Sequence, residues 1–282
     1  MRYLVIGNPA SSGFSEDVRA AVDAEIPDAQ WFEPGKGDLV EAAAGADVVV
    51  VAGGDGSLNH AVNELEARLG ELRFGLVPVG TGNDFARTAG IPADPAEAAR
   101  LVVSGSEREI DVARASGPGV NRLFVNACMG GFPVQVNEAI DEDTKERLGP
   151  LAFWVGGAKA AADLRRSKVV VNGIELDGCV AAGVGNGRTC GGGIPVWPDA
   201  DPSDGSLDAC ALAAPNVVSA VKVLAKVRSG EHGDLDEVRT TRGPRVTIEA
   251  DPPIELNVDG ELLGLKTPAT FEICGTLRLI VR

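Results

Sequence analysis

Val48-Val49-Val50-Val51-Ala52-Gly53-Gly54-Asp55-Gly56-Ser57 is the stretch on which the fold turns. Five apolar residues without polar alternation predict a strand buried on both faces, as in the centre of a parallel sheet. The glycines behind it let backbone approach a ligand closely. The helical pattern over residues 58–69 then places a helix N-terminus, with its unpaired N–H groups, just after the turn. Strand, glycine turn and helix in that order predict a phosphate site. A bare carboxylate at Asp55 would repel phosphate, so Asp55 points to a bridging cation such as Mg²⁺ or to a ribose hydroxyl. The plainer reading is a tight turn in which Asp55 caps the helix.

Working outward, two more loops repeat this logic. Residues 74–77 read as a strand, followed by Pro78-Val79-Gly80-Thr81-Gly82-Asn83-Asp84-Phe85-Ala86-Arg87 opening a helix. Thr81 suits a phosphate oxygen, and Asn83 or Asp84 suits a helix cap. At the start of the chain, a strand over residues 3–6 runs into Asn8-Pro9-Ala10-Ser11-Ser12-Gly13 and a helix over 16–24. Three polar loops at the carboxyl ends of parallel strands converge where open α/β sheets bind ligands. Beyond Asp111 the texture changes. Helical patterns shrink to residues 151–164 and 217–227, and short β-rich runs at 168–171, 180–184, 246–248, 254–258 and 270–273 alternate with Gly, Pro and Asp. This predicts a largely antiparallel β domain packed on an α/β domain, with a cleft between them.

Composition narrows the partners. The 282 residues carry 26 Lys+Arg against 41 Asp+Glu, a net charge of −15. That excludes a protein whose main partner is nucleic acid and disfavours electrostatic anchoring on anionic lipid. Five dispersed cysteines predict small buried thiols in a reducing compartment, and two histidines are too few for a His-rich metal site. Arg2-Tyr3-Leu4-Val5-Ile6 reads as a strand rather than a signal peptide. Charged residues and Pro215 interrupt the apolar stretch at 207–227, so a spanning helix is not expected and the expected localisation is cytoplasmic.

Gly53-Gly54-Asp55-Gly56, together with Gly80-Thr81-Gly82-Asn83-Asp84-Phe85-Ala86-Arg87, resembles the diacylglycerol kinase catalytic domain family, bacterial-type lipid kinases related to sphingosine kinases and, more distantly, NAD kinases. The first motif is shared with NAD kinases and 6-phosphofructokinases; the second is closer to the lipid kinases. Asn8-Pro9, Glu109-Ile110-Asp111, Phe124-Val125-Asn126, Gly130-Gly131-Phe132, Gly185-Asn186, Gly191-Gly192-Gly193, Asp204-Gly205-Ser206-Leu207-Asp208 and Asp259-Gly260-Glu261 extend the likeness along nearly the whole chain. The resemblance implies an α/β nucleotide-binding domain over residues 1–112, completed by 268–282, and a β-sandwich lipid-substrate domain over 113–267.

It also implies a function: transfer of the γ-phosphoryl group of ATP to a lipid hydroxyl, foremost that of diacylglycerol, giving phosphatidic acid. Asn8, Ser12, Gly53, Gly54, Asp55, Gly56, Ser57, Gly80, Thr81 and Asn83 would bind ATP. Asp55, Asp84 and Asp111 would form the acidic network of the catalytic Mg²⁺, and Glu261 would take the proton of the hydroxyl. Asp201, Asp204 and Ser206 match a segment that holds a second, structural Mg²⁺ in some relatives. By themselves, the Asp204-Gly205 and Asp259-Gly260 pairs read equally as β-turns. The implied partners are ATP and a lipid met at a membrane surface, and a homodimer is compatible with the pattern. Two residues depart from the family. Ser57 replaces a Thr and keeps its hydroxyl, while His60 replaces a Glu and reads as a structural histidine on a helix face. Other acceptors that fit the motifs are a sphingoid or other lipid alcohol, or NAD. A catalytically silent nucleotide-binding regulator is the reading from another class, and the presence of Asp55, Asp84, Asp111 and Glu261 weighs against it.

Overall fold

The computed structural model describes residues 1–9, 13–131 and 165–282. Strands β1 (Tyr3–Gly7), β2 (Gln30–Phe32), β3 (Val48–Gly53) and β4 (Arg73–Pro78) form a parallel sheet in the order β2-β1-β3-β4. Val48 to Ala52 are almost wholly buried, as their unbroken apolar pattern requires. The chain leaves β1 first to one side and then to the other. The space above β1 and β3 is therefore the switch point at which such sheets bind ligands. Helices α1 (Glu16–Glu25), α2 (Leu39–Ala43), α3 (Asp55–Glu64), α4 (Asp84–Thr88) and α5 (Pro95–Ser104) connect these strands. Ser15, Asp38 and Asp94 cap α1, α2 and α5 through their side chains.

Helix α3 starts three residues earlier than its apolar spacing suggested. Asp55, Gly56 and Ser57 form its first turn, where an acidic residue is favoured by the helix dipole. It also ends sooner, giving way to a 3₁₀ turn at Glu66–Arg68.

The second half is β-rich. It contains β5 (Ser106–Gly117), β6 (Val120–Phe124), β7 (Ala127–Gly131), β8 (Ser167–Val171), β9 (Ile174–Gly185), β10 (Leu207–Ala213), β11 (Val238–Gly243), β12 (Arg245–Asp251), β13 (Glu255–Val258), β14 (Glu261–Lys266) and β15 (Ala269–Val281). Its one described helix, α6 (Val217–Ser229), follows β10. The apolar stretch at 207–227 thus divides into a strand and a helix, and no helix among the described residues is long and apolar enough to cross a membrane. The expected helix over 151–164 lies outside the described residues.

One strand joins the halves. β15 pairs antiparallel with β5 from Thr270↔Ser116 to Val281↔Ser106. Its other edge meets β12 near the start and β4 near the end, where Arg278↔Arg73 and Leu279↔Phe74 run parallel. The result is a mixed sheet continuous through both lobes, parallel and covered by helices in the first and largely antiparallel in the second. Two main cores lie along it. Val5, Val50, Phe74, Phe85 and Leu279 pack in the first, and Val184, Leu207, Ile248, Leu256 and Phe271 in the second. Phe124 and Phe271 meet edge to face, with centroids 6.2 Å apart. Three of the five cysteines are fully buried, but Cys274, at an irregularity in β15, is exposed.

Candidate active site

The glycine turn after β3 and the loop after β4 pack directly against each other. A Cβ on Gly80 would come within 2.5 Å of Gly54 Cα, so this pair of backbones can approach only as glycines. No side chain caps α3 at Gly54, which leaves its first turn of N–H groups open toward the loop after β4. Ser57 folds back against Gly53, and Thr81 is exposed at the rim. Asn8 stands at the end of β1. Ser12 and Phe132 lie outside the described residues.

Asp55 does not cap its own helix. Its carboxylate reaches across to α4, accepting from the backbone N–H groups of Asp84 (2.9 Å) and Phe85 (3.0 Å). Asn83 occupies the cap position of α4 in a left-handed conformation (φ 50°), and its side chain turns back to Gly80, accepting from N at 2.9 Å and donating to O at 2.6 Å. Asn83 thus shapes the loop while Asp55 caps the helix. Burial pushes the Asp55 carboxyl above its ordinary range. The two N–H groups oppose that shift, and the nearby Asp84 adds to it.

Asp84 is buried and bound from both lobes. Arg87 Nη1 (2.9 Å) and Thr189 Oγ1 (2.8 Å) donate to one oxygen together with Gly193 N (2.7 Å), and Gly192 N (2.8 Å) donates to the other. Asp84 therefore fastens the Gly191-Gly192-Gly193 turn of the second lobe to the first. Gly82 lies between the two acids: a Cβ there would stand 3.3 Å from Asp55 Oδ2 and 3.4 Å from Asp84 Oδ2.

Across the cleft, the Asp259-Gly260-Glu261 turn joins β13 to β14. Asp259 adopts φ 47°, a left-handed conformation that Asp tolerates better than most residues. Its carboxylate accepts from Asn59 Nδ2 and Val125 N at one oxygen and from Asn126 N and Ala127 N at the other, at 2.9–3.0 Å. Burial nonetheless pushes its pKa up to about 6 against these four donors. Asn59 also donates to Leu123 O and accepts from Arg122 Nε, tying α3 to β6. Held this way, Glu261 is exposed with its carboxylate against Gly56, on the first turn of α3. A cleft of about 780 Å³ lies here, lined by Gly54, Asp55, Thr81, Asp84, Asn126 and Glu261 among others.

The remaining predicted residues lie elsewhere. Asp111, on β5, does not line that cleft. Its Oδ2 accepts from Gly205 N at 2.7 Å, and its N–H donates to Pro202 O at 2.7 Å, clasping the 202–205 loop. Burial raises its pKa, with Asp201 and Glu109 adding to the effect against the Gly205 N–H. Asp201 pairs with Arg108 (2.5 Å) and Asp204 with Arg242, while Ser206 N donates to Asp204 Oδ1 at 3.0 Å. Guanidinium groups thus stand against both carboxylates, as Arg87 stands against Asp84. Among the described residues no three acids, histidines or cysteines converge on one point. Asp55 and Asp84 beside Gly82 do fit a cation shared with phosphate, because Mg²⁺ commonly takes one or two carboxylates and completes its shell with phosphate and water. His60 sits half-exposed on α3.

Sequence reasoning missed Asn59, Thr189 and the role of Asp259. All three act through contacts more than 60 residues away. The one local signal was an Asn inside a helical pattern, where a polar side chain without a solvent face needs partners.

Comparison with known proteins decides the family. Residues 2–115 match the diacylglycerol kinase catalytic domain, and residues 126–281 match the YegS C-terminal NAD kinase beta sandwich-like domain. A Pseudomonas putida protein named "Probable lipid kinase YegS-like" is 35% identical over 262 residues, spanning 88% of this chain and 85% of that one. The chain belongs to the diacylglycerol kinase-like family of lipid kinases. A Bacillus subtilis "Diacylglycerol kinase" is 32% identical, over 81% of this chain and 77% of its own. A Bacillus anthracis crystal structure described as "a putative diacylglycerol kinase" superposes on all of this chain and 97% of that one, with a TM-score of 0.79 at 25% identity. Membership makes the chain a phosphotransferase by family, and the family's two halves correspond to the two lobes described above.

Proposed function

We propose that the chain transfers the γ-phosphoryl group of ATP to a lipid hydroxyl with the help of Mg²⁺, and that diacylglycerol, giving phosphatidic acid, is its acceptor. One observation carries this reading: Glu261, on the second lobe, lies against Gly56 on the first turn of α3. The open N–H groups of that turn and the close Gly54–Gly80 contact suit the phosphates of a nucleotide. Asp55 and Asp84 would hold the cation. ATP supplies the phosphoryl group and Mg²⁺ offsets its charge, so the protein's task is mainly positioning. Glu261 orients the acceptor hydroxyl and takes its proton as the new bond forms; a weak base suffices when the proton moves late. The lipid would be met through peripheral contact with a membrane from the cytoplasm.

The test is a product-mass assay with Mg²⁺, ATP and diacylglycerol in mixed micelles, with a sphingoid base and NAD as competing acceptors. Phosphatidic acid should form, and Glu261→Gln should lower turnover by at least ~10²-fold without changing the fold. NADP as the sole product would overturn the lipid reading. Near-wild-type turnover of the variant would remove Glu261 from the mechanism.

A further inference from the structure

Asn126, between β6 and β7, stands in the wall of the cleft and is almost wholly buried. Its main chain reaches two places. The N–H donates to Asp259 Oδ1 at 3.0 Å, and the carbonyl accepts from Asn186 N and Gly187 N, both at 2.8 Å. The side chain reaches a third: Nδ2 donates to Thr189 O at 3.1 Å, and Thr189 Oγ1 donates in turn to Asp84 Oδ1 at 2.8 Å. A short path, Asp259–Asn126–Thr189–Asp84, thus joins the turn that bears Glu261 to the carboxylate assigned to the cation. The path leaves one atom unpaired. Asn126 Oδ1 is buried and meets no donor among the described residues. It lies over Gly187, where a Cβ would stand 2.1 Å from it. Turning the amide over would set Oδ1 against Thr189 O and lose the hydrogen bond, so the Thr189 carbonyl fixes its orientation.

We infer that Asn126 is a positioning residue for the transfer, holding Glu261 and Asp84 at a fixed spacing so that acceptor hydroxyl and cation are lined up together. An unsatisfied buried acceptor destabilises the fold, and a leucine of similar size would carry no such penalty. What the amide alone supplies is the donor to Thr189 O. The inference rests on the lipid-kinase reading above for what is lined up, whereas the link between the two acids stands on the hydrogen bonds themselves. Asn126 acts through Asp259 and Thr189 and needs no contact with substrate. Nucleotide contacts are assigned to the glycine loops after β3 and β4, so loss of Asn126 should appear in turnover rather than in the binding of ATP.

Asn126→Ala deletes the link and the unpaired oxygen together. Turnover with ATP and diacylglycerol should fall by about tenfold or more, with the KM for ATP within about twofold of wild type. Gly187→Ala is a second route, since its methyl group drives the amide off Thr189 without removing it. Turnover should fall by a similar factor, yet no further loss should follow when this change is added to Asn126→Ala. In that background the space is vacated and only the Thr88 hydroxyl remains near, at 3.2 Å. A third measurement needs no catalysis. The N–H groups of Gly192 and Gly193 are bound to Asp84, and Asp259→Asn should speed their hydrogen exchange by about fivefold. The same change in the Asn126→Ala background should leave that exchange as it was. Near-wild-type turnover of Asn126→Ala, a KM for ATP that rises as much as turnover falls, or an equal exchange response in both backgrounds would overturn the positioning role. An exchange response that depends on Asn126, with no phosphorylated lipid from the wild type, would leave the link standing and overturn the kinase reading instead.

Discussion

Asp84 takes its four hydrogen bonds with a cation, Arg87, among the donors; Asp259 takes four from neutral groups alone. Both acids are buried, both stand at the cleft, and both fasten one lobe to the other. The difference lies in electrostatics. A buried carboxylate without a cation loses more hydration than neutral N–H groups return, which is why the pKa of Asp259 rises to about 6 despite ideal geometry. A residue held at such a cost is explained by what it positions. Asp259 fixes the turn that carries Glu261, whereas Asp84 fixes the Gly191-Gly192-Gly193 turn and is itself placed to hold the cation. The first latch is therefore expected to act on rate through Glu261, and the second on both rate and stability.

Exchanging Asp259 for Asn breaks the comparison most sharply. It keeps the shape but sets an NH₂ against backbone donors. Displacing the neighbouring turn by an ångström should lower turnover by about 10²-fold while circular dichroism stays native-like. Turnover within a fewfold of wild type would mean that Glu261 finds its place without this acid. A smaller effect should appear in stability against pH. The folded pKa of Asp259 exceeds its unfolded value, so folding takes up a proton over the window from about pH 4 to about pH 6. Its contribution is full below that window and is lost as pH rises through about 6. The loss is on the order of 3 kcal/mol, read as the wild-type slope that Asp259→Asn flattens in urea titrations. Parallel slopes in the two proteins would show that the acid stays ionised throughout. Asp84→Ala should remove about 2 kcal/mol, the scale of hydrogen bonds to a charged group, seen as a lower urea midpoint. An unchanged midpoint would show that the Gly191-Gly192-Gly193 turn is held without it.

The two latches also mark where sequence reasoning stops. Three of the four parallel strands were legible because apolar runs over 3–6, 48–52 and 74–77, each followed by Gly or Pro, alternate with helical spacing, a pattern set by local chemistry. The three-residue β2 offers no such run. The cleft loops were legible for the same reason: each is a strand end followed by a helix start. What remained hidden was every interaction joining distant segments. Asp55 reads as a cap for the helix it begins, yet it caps α4, and only the packing of Gly54 on Gly80 brings that helix within reach. The Ser106–Glu109 end of β5 carries too many charges to read as a strand, but β15 pairs it along its full length. Arg108 and Arg242, remote in sequence from Asp201 and Asp204, are likewise brought beside them only by the fold.

The passage of β15 through both lobes has a consequence for biosynthesis. β4 lies inside the first lobe, yet one of its two neighbours is the far end of Ala269–Val281, about 200 positions downstream. On the ribosome, a nascent first lobe could form β2-β1-β3-β4 and still present β4 as an open, apolar edge until that late segment emerged. Such an edge invites pairing with another chain, and the loop to be closed is long. The catalytic lobe of this kinase-family protein would thus be among the first parts made and among the last completed, since its sheet closes only when the strand shared with the second lobe arrives.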